Sequence, residues 1–152
     1  MDNHESELWK YSLTKAKSKL KTTENVLQMI IPLKENRLMI KALTFLSESL
    51  SLAITSILQK ENMGGSSKLS SNQDKNLKLF FSMVNKYINK KDKENIYTLI
   101  KIRKEHIKSH LEFIKKDKFV ILLGDKYEVI TIDLLKNLTN SLKILILKIE
   151  GN

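Results

Sequence analysis

The chain has 152 residues, no cysteine and a formal charge of +10. That length suits a single domain, 1–152, able to bury about two thirds of its unfolded surface without a staple. The missing cysteine excludes a disulfide framework, a thiol nucleophile and any cysteine metal site. The start MDNHESELWK lacks the apolar core of a signal peptide. The most apolar run near the other end, LKILILKI, is interrupted by lysines and far short of the ~20 residues that span a bilayer. A cytoplasmic protein with no membrane partner is expected.

In chain order, Trp9, Leu13, Ala16, Leu20, Leu27 and Ile30 recur at helical steps and predict a first helix over 6–31, stopped by Pro32. A second, over 36–62, carries Met39, Leu43, Leu46, Leu50, Ala53 and Ile57 in a 4-3-4-3-4 rhythm, the spacing of a close helix pair. It reads either as the centre of the domain or as the face that meets a second copy. MGGSSKLSSNQD, 63–74, reads as a flexible internal loop, with too few glycines and no Lys-Ser or Lys-Thr pair for a phosphate loop.

Leu77, Phe80, Phe81, Val84, Tyr87 and Ile88 predict a third helix over 74–90, with Asp74 as its N-cap. A fourth follows from Asp92 to Lys116. FVILL (119–123) and YEVIT (127–131), separated by Gly124, Asp125 and Lys126, predict a β-hairpin flap over 119–131. Leu135, Leu138, Leu142, Leu145 and Ile149 mark a last helix from Ile132, with Thr131 or Asp133 near its cap. The fold class is therefore mainly α: an antiparallel bundle of about five helices with one short β-hairpin before the last.

Charge is unevenly placed. Residues 75–118 hold thirteen Lys or Arg against five Asp or Glu, so eight of the ten surplus charges fall in that third of the chain. Such an excess concentrates polyanions nearby and is the footprint of an RNA-binding surface, for which Lys86, Lys90, Lys91, Lys93, Lys104 and Lys108 are the candidates. The same lysines would also serve plain solubility or an acidic protein partner.

Only two arginines, Arg37 and Arg103, stand against 25 lysines. Continued helical phase would put Arg103 and His110 about 20° apart, on a stripe with Ile96, Leu99, Ile100, Ile107 and Ile114. An inward guanidinium needs a partner, either a phosphate or a structural carboxylate. His106 and His110 are four residues apart, but HIKSH lacks a glutamate and His4 lies near the chain end, so the three protein ligands a metal demands are not assembled. No metal and no cofactor is expected. Triad and dinucleotide motifs are missing too. What remains is acid–base work by His110 with charge stabilisation by Arg103, so enzyme and binder both stay open.

Arg103 and His110, with six residues between them on a helical domain, form an Arg-x6-His pattern that resembles the HEPN superfamily of small helical proteins. The resemblance implies a homodimeric, metal-independent ribonuclease in which Arg103 contacts phosphate and His110 is the catalytic base or acid, or else an inactive binding module. At the position after the arginine, where the family often has Asn, Asp or His, this chain has Lys104. The segment IKALTFLSESLSLAITSILQKE also resembles small helical archaeal proteins without an assigned activity. The competing reading is a non-catalytic protein–protein interaction module that uses the second helix or the flap.

Overall fold

The computed structural model describes residues 3–61, 73–109, 111–115, 118–123 and 125–151. Five helices and a three-stranded antiparallel sheet follow one another as α1 (Asn3–Leu33), α2 (Leu38–Lys60), α3 (Gln73–Met83), a 3-10 turn (Val84–Lys86), α4 (Lys90–Lys108), β1 (Leu111–Lys115), β2 (Lys118–Leu123), β3 (Lys126–Thr131) and α5 (Ile132–Gly151). The mainly helical class and the hairpin before the last helix are as expected.

Pro32 does not stop α1; it lies inside the last turn. The helix ends one residue later, where Lys34 takes the left-handed conformation with φ 53°. Glu35 N–H then donates to Ile30 O at 3.2 Å and Lys34 N–H to Ile31 O at 3.1 Å, closing the free carbonyls in a Schellman pair. The chain reverses there and α2 runs back along α1.

Small residues let the two backbones approach. Ser49 Oγ donates to Ala16 O and Ser56 Oγ to Trp9 O, both at 2.7 Å, so a step of seven along α2 matches a step of seven back along α1. Ser12 Oγ adds a bond to Gln59 Oε1 at 2.8 Å. Met39, Leu43, Leu46, Leu50, Ala53 and Ile57 are all buried, so the heptad seam is filled by the chain's own core and is not a face left for a second copy. α2 is long and apolar enough to cross a membrane, and half of that stretch is buried within the fold.

α5 packs against α1, α2 and α4, with Leu135, Leu138, Leu142, Leu145 and Ile149 fully buried. Thr131 Oγ1 caps it by accepting from Leu134 N–H at 3.1 Å, as its place before the helix suggests. Ser141 Oγ donates to Asp92 Oδ1 at 2.7 Å and accepts from Asn95 Nδ2 at 2.8 Å, which ties the start of α4 to α5.

Both ends of the third and fourth helices also differ from the sequence reading. The third helix gives way to a 3-10 turn at Val84, and Asp74 lies within its first turn and not before it. The fourth begins at Lys90, capped by Asn89, whose Oδ1 accepts from Asp92 N–H at 2.9 Å. It ends at Lys108, because Ser109 turns extended and LEFIK forms β1. Ser109 Oγ donates to Leu122 O at 2.9 Å, fastening that exit to β2. Short apolar runs fit helix and strand alike; here pairing with β2 decides.

Candidate nucleic-acid interface

The stripe that carries Arg103 begins in the core and climbs out of it. Ile96 and Leu99 are fully buried, Ile100 and Arg103 are half-buried, and Ile107 is 67 % exposed. The inward stripe expected through Ile107 therefore holds for the first half of α4 only, and Ile102, outside it, is the buried residue further along. Near its C-terminal end the helix stands away from α2 and α3 and leaves a cleft of about 560 Å³.

Ser47, Ser51 and Thr55 of α2, Gln73 and Asn76 of α3, and Arg103 and Lys104 of α4 give this cleft its polar lining; Leu50, Ile54 and Leu77 are among its aliphatic residues. Ser47 Oγ is committed to Leu43 O at 2.8 Å. No carboxylate among the described residues forms an ion pair with Arg103. Lys104 lies 3.9 Å from Asp74. The volume is that of a small-ligand or phosphate-sized recess with room to spare.

His110 lies outside the described residues, and the helical phase that would align it with Arg103 stops two residues before it, at Lys108. His106 is not on the cleft side: its Nδ1 is 2.6 Å from Glu112 Oε1 and its ring meets Phe119 edge-on, centroids 6.0 Å apart. It works as a strut between α4 and β1. Among the described residues no group of three metal-ligating side chains comes together.

The six candidate lysines fall into two sets, about 20 Å apart at 1.5 Å per helical residue. Lys86, Lys90, Lys91 and Lys93 gather at the start of α4; Lys104 and Lys108 lie near its end with Arg103. Lys86 pairs with Glu61 at 3.4 Å. Lys90, Lys91, Lys93 and Lys108 make no ion pair among the described residues, and the first three crowd the positive end of the helix dipole, where Asp92 in the first turn and Glu94 after it offset them in part.

Two carboxylates near these lysines differ in kind. Glu61 accepts the Tyr87 hydroxyl at 2.6 Å, and that bond, helped by Lys86, holds its carboxyl below the ordinary range. The phenol in turn is pushed up by burial and by Glu61. Glu105 is raised instead, by burial first and then by Glu128, with Lys101 opposing. Its Oε2 is buried without a hydrogen-bond partner among the described residues. Lys101 reaches across to Glu128 at 3.2 Å, linking α4 to β3.

The sequence pattern did not point to the cleft. Ser51 and Thr55, four residues apart on α2, and Asn76 on α3 are ordinary polar residues, and only the departure of α4 from the core makes them neighbours of Arg103. Comparison with protein-family models, with curated proteins and with solved structures finds no match.

Proposed function

We propose that this chain binds RNA along α4, with Arg103 taking a backbone phosphate at the cleft and the lysines at either end of the helix holding the flanking phosphates. One observation carries the reading: Arg103 is half-buried at the cleft and no carboxylate among the described residues pairs with it, with Lys104 and Lys108 on the same and the next turn. A partly desolvated charge without a partner is costly, and a phosphate matches its planar fork in two hydrogen bonds. Bringing a polyanion to Lys90, Lys91 and Lys93 also relieves the repulsion among them.

The HEPN resemblance carries a finer proposal. His110 would accept the proton of a ribose 2′-hydroxyl while Arg103 holds the phosphate as charge builds on it, with a second copy of the chain completing the cleft. The binding test is retention of RNA at ~50 mM salt, where contacts to phosphate are strong. Retention by wild type and weakening in Arg103→Ala is the expected result; no retention removes the reading. For cleavage, wild type, Arg103→Ala and His110→Ala are compared on RNA in EDTA. Cutting by wild type alone supports the ribonuclease, whereas equal activity in all three, or none, leaves binding only.

A second reading, a non-catalytic protein-binding module, is favoured by Ile107 and Tyr97, both largely exposed on α4 beside these lysines. An acidic protein held as tightly by Arg103→Ala as by wild type would favour it.

A further inference from the structure

We infer that the outward face of the three-stranded sheet is a stacking platform for the unpaired bases of single-stranded RNA. The inference rests on the RNA reading above and adds a second surface with its own ligand, unpaired rather than duplex RNA.

The strand register sorts the side chains. Phe119, Ile121 and Ile130 share the inner face and are buried against the helices. Both acidic residues of the strands lie on that face as well: Glu112 and Glu128 stand opposite Ile121 on either side, and each has a side-chain partner, His106 and Lys101 respectively. The outer face is left with three rungs. Leu122 with Tyr127 forms one, Phe113, Val120 and Val129 the next, and Lys115, Lys118 and Thr131 the last.

A sheet with one covered face normally turns polar residues outward. This one does not. Phe113 is 42 % and Tyr127 67 % exposed, whereas Val120 between them is buried, so two rings stand above an aliphatic floor. They lie on opposite edge strands, two strand spacings and one rung apart, about 12 Å. The charged rung is uniform in sign: Lys115 and Lys118 are direct cross-strand partners, an arrangement that weakens a strand pair, and neither has an acidic partner among the described residues.

Protruding aromatic rings, a cationic rung beside them and no acid on the face among the described residues are complementary to a chain of π-faces strung on phosphates. Stacking of bases on such rings is strong and tolerant of sequence.

The experiment compares wild type, Phe113→Leu/Tyr127→Leu and Lys115→Ala/Lys118→Ala for binding to labelled oligouridylate and to a blunt RNA duplex. Leucine keeps the face apolar, and the lysine variant removes only exposed, mutually repelling charges, so it reports even if loss of the rings disturbs the fold. Expected are a loss of about tenfold or more on oligouridylate for the ring variant, little change on duplex, and a salt-dependence slope lower by about 1.4 for the lysine variant on oligouridylate. Unchanged oligouridylate binding in both variants overturns the platform while leaving Arg103 as an RNA contact. Equal losses on both ligands overturn it too. So does a ring variant that loses only the wild type's binding to phosphatidylserine vesicles, or only its dimerisation, with oligouridylate binding intact. A wild type that retains neither RNA overturns the platform and the RNA reading together.

Discussion

The α1–α2 pair and the C-terminal end of α4 both carry lysines, yet their polar groups are used differently. Between α1 and α2, the buried hydroxyls of Ser49 and Ser56 reach carbonyls of the facing helix. At the end of α4, no carboxylate among the described residues pairs with Arg103, Glu105 holds one buried oxygen without a hydrogen-bond partner among them, and Ile107 is left in solvent. Polar groups that are satisfied internally specify packing; those left open at a cleft are available to a ligand. The first region sets the fold and the second is where function is sought.

The sharpest way to test that contrast is to damage each side. Leu43→Ala, in the fully buried seam of α2, should cost about 2–5 kcal/mol in chemical denaturation. Ala16→Leu, which forces a larger side chain between α1 and Ser49, should cost about 1–3 kcal/mol. If it costs nothing, the close approach of the two helices is wrong. At the end of α2, Tyr87→Phe removes the bond to Glu61 and should cost about 1–2 kcal/mol near neutral pH.

pH separates the two carboxylates. Because the folded state lowers Glu61, its contribution is present above the ordinary carboxylate value of 4.5 and is lost as pH falls through the lowered one. The penalty of Tyr87→Phe should therefore shrink in acid. Glu105 has the opposite sign: its folded value lies above 4.5, so stability is lost as pH rises through that raised value. Glu105→Gln should stabilise by up to about 1 kcal/mol at pH 7 and by nothing at about pH 4, read from denaturation midpoints at the two pH values. A destabilising Glu105→Gln at pH 7 would mean that the end of α4 is as well satisfied as the α1–α2 pair.

Much of the scaffold was legible in the sequence because periodicity reports burial. The seam from Met39 to Ile57, the α5 stripe from Leu135 to Ile149 and the strands of FVILL and YEVIT all occupy the places their spacing suggests. The misreadings share a cause. Pro32 is kept inside α1 because the chain closes the helix with Lys34 two residues later. LEFIK fits a helix on spacing alone, and only the hydrogen-bonding edge of β2 makes it a strand.

The candidate site was legible in one residue. Arg103 was singled out by its type and its stripe, and it does face a cleft. The stripe itself overreached, since phase says which residues align and not how far along a helix the neighbouring elements extend. His110 falls after the helix end, outside the described residues, so its relation to Arg103 rests on the resemblance alone. Glu105, His106 and the outer sheet face depend on contacts across elements, which no local pattern encodes.

The most direct measurement is the affinity for RNA as a function of salt, wild type against Arg103→Ala, with the melting temperature followed in parallel. Binding by Arg103 predicts weaker RNA affinity and a salt slope reduced by about 0.7–0.9, at a stability within about 0.5 kcal/mol of wild type. Superimposable isotherms, or a variant that fails to fold because Arg103 braces the core, would contradict the account.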